Sequence, residues 1–219
     1  MKKYQLRIEL LSPTLAGSGV GFGSGIDTDV VFDDLGLPYI PAKRLKGCLR
    51  DAAEEVREMF SLAGIKADQI QIENTFGETG NESAAPVYFS NLYLENHEQT
   101  QAWLRYFLKS NDYKHLVTSD RILDTFTEIR QQTKIDDGVA FEHSLRTIRV
   151  LRKGLKFCGE VRFESDDEHI LNTLLLACLN FRRFGTKRNR GLGEVSCFLL
   201  NEEGQAQSIA DTLEALCTA

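Results

Sequence analysis

The sequence lacks the patterns that mark several large protein classes. No apolar run approaches the length of about 20 residues that a membrane-spanning helix needs. The five cysteines are scattered without a Cys-x-x-Cys pair, which argues against a disulfide framework and a structural zinc site. The four histidines show no metal-ligand spacing, and no G-x-x-x-x-G-K-[ST] segment indicates a nucleotide-binding P-loop. Polar residues interrupt the first ten positions, so we expect no signal peptide and a cytoplasmic location.

Length and charge distribution favour a globular chain with two kinds of surface. A chain of 219 residues is long enough for one sizeable core, and we expect a single domain over 1–219. The net charge is -6, but the charges are segregated along the chain. Acidic residues concentrate at 51–58, 73–98 and 164–168, and basic residues concentrate at 43–50, 146–156 and 182–190. A nucleic-acid partner is compatible with this pattern, because the position of the positive charge matters more than its sum.

Hydrophobic periodicity predicts an α+β fold. Apolar residues alternate at 4–10 and 155–163, a further strand is expected at about 192–200, and the run "PVYFSNLYL" reads as a strand buried on both faces. Helical spacing begins after Pro41, and 98–109 reads as an extra helical segment. A second main helix is expected to start with a capping box of Ser165 and Glu168 and to close at Gly185. The order predicts a ferredoxin-like βαββαβ core, whereas 110–146 shows no sustained period.

Two basic clusters read as phosphate sites. Lys43, Arg44 and Lys46 lie in the first turn of the first helix, where cations oppose the helix dipole unless an anion binds there. The alternative reading is that these side chains simply face solvent. In "RRFGTKRNRG" at 182–191, helix capping accounts for the two leading arginines only. The remaining cations and glycines favour a nucleic-acid backbone over a small phosphorylated ligand, since glycine permits close approach and arginine binds phosphate bidentately.

Three blocks of the sequence jointly resemble the RAMP proteins of CRISPR type III effector complexes. They are "GSGIDTDVVFDDLGLPYIPAKRLKGCLRDA" at 23–52, "QTKIDDGVAFEHSLRTIRVLRKGLKFCGEV" at 132–161 and "FGTKRNRGLGEV" at 184–195. The resemblance implies a modified RRM-like fold whose copies line up along a CRISPR RNA within a larger ribonucleoprotein. It implies four kinds of partner, namely guide RNA, target RNA, other effector subunits and copies of the chain itself, and no membrane.

The resemblance also implies the site residues. Guide RNA would lie on a basic groove formed by Lys43, Arg44, Lys46, Arg50, Arg130, Lys187, Arg188, Asn189, Arg190 and Gly191. A thumb at about 121–147 would insert between guide and target. In such backbone subunits a loop aspartate cuts target RNA, and the matching position is Asp27, with Asp29 two residues on. Because the usual pKa of an aspartate, about 4, is low for a general base, we expect Asp27 to hold a divalent cation such as Mg²⁺ or Mn²⁺.

Other functions remain open at this level. A non-catalytic scaffold or end-cap subunit of the same complex would bind RNA without cutting it. A guide-processing endoribonuclease would cut repeat RNA alone and would use a histidine. A ferredoxin-like interaction module would show little salt-sensitive affinity for RNA.

Overall fold

Strands and helices are mixed along the chain in this computed structural model. It describes residues 2–17, 25–78, 86–110, 113, 115–186, 191–210 and 213–214. In chain order the elements are β1 (Lys2–Leu10), β2 (Tyr39–Ile40), α1 (Ala42–Leu62), α2 (Ile72–Phe76), β3 (Val87–Phe89), β4 (Leu92–Leu94), α3 (His97–Lys109), α4 (Ser119–Phe126), β5 (Thr127–Gln132), β6 (Ile135–Asp136), β7 (Val139–Ala140), β8 (Arg146–Leu151), β9 (Lys156–Phe163), α5 (Glu168–Asn180) and β10 (Val195–Leu200). The α+β class expected from the sequence is confirmed.

The main sheet is antiparallel and follows the order β10-β1-β9-β4-β2, with β3 also paired to β9. In β1 the side chains of Leu6, Ile8 and Leu10 are fully buried, while the residues between them are at least partly exposed. This period of two is what a strand with one face on the core requires. The half-buried strand predicted at 4–10 is therefore confirmed.

The run "PVYFSNLYL" forms two short strands rather than the single buried strand expected from its apolar content. Ser90 and Asn91 interrupt it, and the Ser90 hydroxyl accepts a hydrogen bond from the Glu160 amide at 2.8 Å. Tyr88 is exposed, so burial on both faces was also wrong. The interruption has a use, since the Asn91 side-chain oxygen accepts a hydrogen bond from the Ala42 amide at 2.9 Å and so caps the start of α1.

Helices α1 and α5 pack against each other and contribute to the main core. The apolar stripe of α1 is buried at Leu45, Leu49 and Val56, as its spacing predicts. The predicted ends of α5 were wrong. Asp167, not Ser165, is the N-cap and accepts the His169 amide at 2.9 Å, and the helix ends at Asn180, well before Gly185. A carboxylate one residue before the helix performs the capping that the sequence pattern assigned to the hydroxyl.

Residues 127–151, between α4 and β9, form a region that we call the arm. Its strands β5 and β8 pair with each other, and β6 and β7 pair near its turn. The predicted thumb at 121–147 overlaps this arm but begins within α4. Ile148 and Val150 of β8 are buried in a small cluster with Leu15 and Leu192. The arm also exposes apolar side chains, namely Ile129, Ile135, Val139, Phe141 and Leu145.

Helix α3 contains the aromatic residues of the extra helical segment. None of its residues is buried, and Trp103, Tyr106 and Phe107 contact one another through their rings. Within the described part of the chain, no helix is both long and apolar enough to cross a bilayer.

Candidate nucleic-acid interface

The segment 12–17 joins the arm to the loop that follows α5. On one side, Thr14 exchanges backbone hydrogen bonds of 3.0 and 2.8 Å with Leu151 of β8. On the other side, the Gly193 amide donates to the Pro13 carbonyl at 2.9 Å, and the Thr186 amide donates to the Leu15 carbonyl at 3.1 Å. The segment therefore contacts β8 on one side and two described residues of the post-α5 loop (185–193), Thr186 and Gly193, on the other.

The post-α5 loop approaches this segment closely enough to require glycine. Gly185 has a φ of 88°, and a Cβ atom there would lie 2.4 Å from the Leu15 carbonyl oxygen. Gly191 is exposed, and a Cβ atom there would have open space. Lys187, Arg188, Asn189 and Arg190 lie outside the described residues, so their assignment to the groove remains a prediction. Of the described residues that flank them, Thr186 donates a hydrogen bond to segment 12–17 and Gly191 is exposed.

The start of α1 lies against the same segment. Arg44 donates a hydrogen bond to the carbonyl of Gly17, which fixes the first turn of the helix there. No acidic residue lies in this turn, and the N-cap residue, Pro41, makes no side-chain capping hydrogen bond. Lys43 is exposed, and Lys46 is partly buried. Burial lowers the pKa of Lys46, and the charge of Arg50 lowers it further, so a bound anion would stabilise the charged lysine.

Two other predicted groove residues have acidic partners of their own. The Arg50 Nε lies 3.0 Å from the Glu54 carboxylate, and its Nη1 donates to the Gly77 carbonyl at 2.9 Å. This fixes α1 to the residue that ends α2. Arg130 lies on β5 of the arm, with its Nη2 2.6 Å from the Glu128 carboxylate. The structure thus places Arg44 on segment 12–17, and Arg50 and Arg130 in other parts of the molecule.

Asp27 lies on the edge of the arm. Its amide donates to the Thr147 carbonyl at 2.8 Å, and its Oδ2 accepts the Thr147 amide at 2.7 Å. Its Oδ1 lies 3.2 Å from Nη1 of Arg146, and its side chain is 38% exposed. The pairing continues, since Thr28 bridges to Ile148 in parallel and its carbonyl accepts the Arg149 amide at 3.0 Å. The segment that contains Asp27 is therefore held by the return strand of the arm.

Asp29 differs from Asp27 in exposure and in partners. Its side chain is 4% exposed, its Oδ1 accepts the Val30 amide at 2.8 Å, and the same oxygen lies 3.7 Å from Nε of Arg149. Arg149 also approaches Asp124 of α4 at 3.7 Å. The spacing of the sequence could not distinguish the two aspartates. In the structure Asp27 can meet a ligand from solvent, whereas Asp29 links the loop to the interior of the arm.

The described residues do not form a preformed divalent-cation site. Among them, no group of three or more histidine, cysteine, aspartate or glutamate side chains could hold a metal ion. Both oxygens of Asp27 already contact donors of the protein. A cation at Asp27 would need most of its oxygen ligands from RNA. The expected Mg²⁺ or Mn²⁺ therefore remains a prediction.

Arg146 was not among the residues selected from the sequence. It lies on the arm at the first position of β8, pairs with Asp27 and also lines an open groove of about 650 Å³ with Lys134, Phe141 and His143. The Lys134 ammonium lies 4.8 Å from the centre of the Phe141 ring. The basic content of 146–156 was visible in the sequence, but only the pairing of Asp27 with β8 selects Arg146.

The fold of this chain is similar to that of solved structures. No curated protein matches the sequence. A chain of the type III-B Cmr-β complex bound to cognate target RNA, solved by cryo-EM, has a similar fold with a TM-score of 0.64 and 14% identity, covering 91% of this chain and 97% of that one. A chain of the apo state of Cmr-β gives a TM-score of 0.61 and 14% identity, covering 92% and 98%. The family model of the RAMP superfamily matches residues 7–196, and the chain belongs to this superfamily.

Proposed function

We propose that this chain is a subunit of a type III CRISPR effector complex that binds guide RNA and cleaves the paired target RNA at Asp27. The observation that carries the proposal is the position of Asp27. Its carboxylate is partly exposed, lies beside a groove lined by cations, and is held by the strand of a protruding arm. A carboxylate so placed can meet a nucleotide that the arm separates from its neighbours.

We infer a ferredoxin-like arrangement from the strand order. With β3 and β4 counted as one interrupted strand, the core reads β1, α1, β3/β4, β9, α5 and β10, and the sheet order is β10-β1-β9-β3/β4. This is the βαββαβ pattern, in which α3, α4 and the arm lie between the second and third core strands. The fold supports RNA binding only by analogy with the Cmr-β chain, so the function depends on the site itself.

Guide RNA would follow the start of α1, segment 12–17 and the post-α5 loop. Lys43 and Lys46 provide positive charge at the start of a helix whose first turn contains no acidic residue, and Arg44 is already fixed there. Backbone amides and the helix dipole favour an anion at this position. We expect the phosphates of the guide to be bound there without sequence preference.

A salt titration tests this groove. Replacement of Arg188 and Arg190 with alanine should weaken RNA binding across sequences and reduce the slope of log K against log salt by about 0.7 for each lost contact with single-stranded RNA. The matched control replaces two cations of α3, Arg105 and Lys109, which are exposed and outside the proposed groove. Unchanged binding in the Arg188 and Arg190 variant would remove this loop from the groove.

The proposed cleavage is an attack within the target RNA itself. The 2′-oxygen of one nucleotide forms a bond to the adjacent phosphorus as the bond from phosphorus to the 5′-oxygen breaks. The Asp27 carboxylate accepts a hydrogen bond from the 2′-hydroxyl and orients it, water takes the proton of that hydroxyl, and water gives a proton to the departing 5′-oxygen. The products are a 2′,3′-cyclic phosphate and a 5′-hydroxyl. The protein contributes position and stabilisation of charge, which can account for most of the acceleration.

Cleavage by the complex assembled on guide RNA tests the role of Asp27. Asp27→Asn should abolish cleavage of paired target while target binding persists, because the amide preserves size but lacks the negative charge that orients the attacking 2′-hydroxyl. Asp34→Asn is the control, since Asp34 is exposed and lies in the turn before Gly36. Unchanged cleavage in Asp27→Asn would instead support a non-catalytic scaffold or end-cap subunit.

The divalent cation is tested separately. Cleavage is measured after treatment with EDTA and after Mg²⁺ or Mn²⁺ is restored, with target binding recorded in the same samples. Lost cleavage with retained binding, restored by the cation, would support the prediction. Full cleavage in EDTA would show that the protein and RNA suffice.

A further inference from the structure

Arg146 lies between Asp27 and the groove of the arm. We propose that Arg146 binds the phosphate that is cleaved and, through its ion pair, positions Asp27 beside that phosphate. This inference rests on the proposed function and places Arg146, a residue of the arm, in the same site. The ligand is a phosphodiester of the target RNA.

The ion pair between Arg146 and Asp27 contributes little to the stability of the folded chain. Arg146 and Asp27 have side chains that are 63% and 38% exposed, and exposed ion pairs contribute little to stability. Asp27 is already oriented by the Thr147 amide, which donates to its Oδ2. The guanidinium approaches the other oxygen, Oδ1, through Nη1. A planar guanidinium has five N–H donors, so it can contact this carboxylate and a second anion together.

The groove next to Arg146 has the chemistry of an RNA site. Lys134 and His143 line it with Arg146, and Phe141, a residue that is 53% exposed, supplies an aromatic ring. Its volume of about 650 Å³ is in the range that holds a small ligand. Cations suit the phosphate and an exposed ring suits a base, as in other proteins that bind single-stranded nucleic acid. The features occur together on the side of the arm where Asp27 is attached.

The backbone of β8 also couples the position of Arg146 to that of Asp27. Arg146 and Thr147 are consecutive in β8, and both contact the carboxylate of Asp27. A target phosphate bound by Arg146 would therefore lie close to Asp27 without a separate rearrangement of the loop. As the 2′-oxygen bonds to phosphorus and the 5′-oxygen departs, negative charge grows on the non-bridging oxygens. A fixed guanidinium stabilises that charge.

The test uses the complex assembled on guide RNA and single-turnover cleavage at saturating target. Arg146→Gln should lower the cleavage rate by about 100-fold, the usual effect of removing one such donor, with target binding little changed. Arg146→Lys should recover part of the rate, because lysine restores the positive charge but not the planar guanidinium. Arg105→Gln, an exposed arginine of α3, is the matched control and should cleave normally.

A second readout separates phosphate contact from simple support of the loop. Sulfur in place of a non-bridging oxygen at the cleaved phosphate should slow the native complex, and this effect should shrink in Arg146→Gln. Native cleavage rates in Arg146→Gln, or an undiminished sulfur effect in that variant, would overturn this inference. If Asp27→Asn also cleaves normally, the proposed function fails as well. If Asp27→Asn is inactive while Arg146→Gln is native, only the role of Arg146 fails.

Discussion

The main sheet and the arm use apolar side chains in opposite ways. In the sheet, Leu6, Ile8 and Phe157 are fully buried beneath helices of the same chain. At the base of the arm, Ile148 and Val150 pack with Leu15 and Leu192 from other parts of the chain, whereas Ile135, Val139 and other apolar residues of the arm are exposed. The sheet is therefore stabilised by its own packing. The arm depends on pairing between its strands and on contacts at its base.

The largest expected effect contrasts one phenylalanine from each region. Phe157→Ala should lower the free energy of unfolding by about 4 kcal/mol, because it leaves a cavity at a fully buried position. Phe141→Ala in the arm should change it by less than about 0.5 kcal/mol, because that ring is exposed. Urea denaturation of the isolated chain measures both. Similar losses in the two variants would mean that the outer arm packs as tightly as the sheet.

The next effect contrasts the two arginines of β8 that contact aspartates. Arg149 is only 12% exposed, so Arg149→Met should cost about 3 kcal/mol by leaving Asp29 buried without its cation. Arg146→Met should cost no more than about 1 kcal/mol, because its pair with Asp27 is exposed. Equilibrium unfolding tests both, and addition of Asp29→Asn to Arg149→Met should restore part of the loss. No recovery in the double variant would argue against the ion pair as the cause.

A glycine between the two regions gives an intermediate effect. Gly185→Ala should destabilise the protein by about 2 kcal/mol, because the methyl group meets the Leu15 carbonyl in addition to the strain of a positive φ. Gly204→Ala has a similar φ of 78° but open space, so it should cost only about 1 kcal/mol. The melting temperatures of the Gly185→Ala and Gly204→Ala variants measure this difference. Equal shifts would show that the loop moves away from segment 12–17 without cost.

The smallest expected effect is the contribution of Lys46, in α1, to the pH dependence of the free energy of unfolding. Because burial lowers its pKa in the folded state, the unfolded chain binds more protons between that lowered pKa and 10.5. The free energy of unfolding should therefore gain a small contribution from this group as pH rises through that window. Lys46→Met should remove the contribution, whereas Lys43→Met, at an exposed position, is the control. Identical pH slopes for native protein and Lys46→Met would contradict the assignment.

The sequence predicts the regular elements of the core better than the site. Strand β1 and helix α1 follow from periodicity, because each has one face on the core. The outer arm has no core to impose a period, so its strands could not be located from pattern alone. The capping of α5 was missed because Asp167 and Ser165 are both suitable caps, and only the backbone decides between them.

The site depends on contacts that no local pattern contains. The resemblance selected Asp27 and Asp29 together, and their different exposure appears only when β8 lies beside them. Arg146 is separated from Asp27 by more than half of the chain. A general excess of basic residues at 146–156 could indicate a cationic surface, but it could not indicate which arginine meets the aspartate.

That separation has a consequence for how the protein is made. Asp27 and Arg146 are 119 positions apart, so their pair closes one of the longer loops of the fold. Contacts of high sequence separation carry a large entropic cost of loop closure and form slowly. A chain still on the ribosome cannot form this pair until β8 has been synthesised, although β1 and α1 are complete much earlier. A truncated or unfinished chain would therefore contain Asp27 without the strand that positions it.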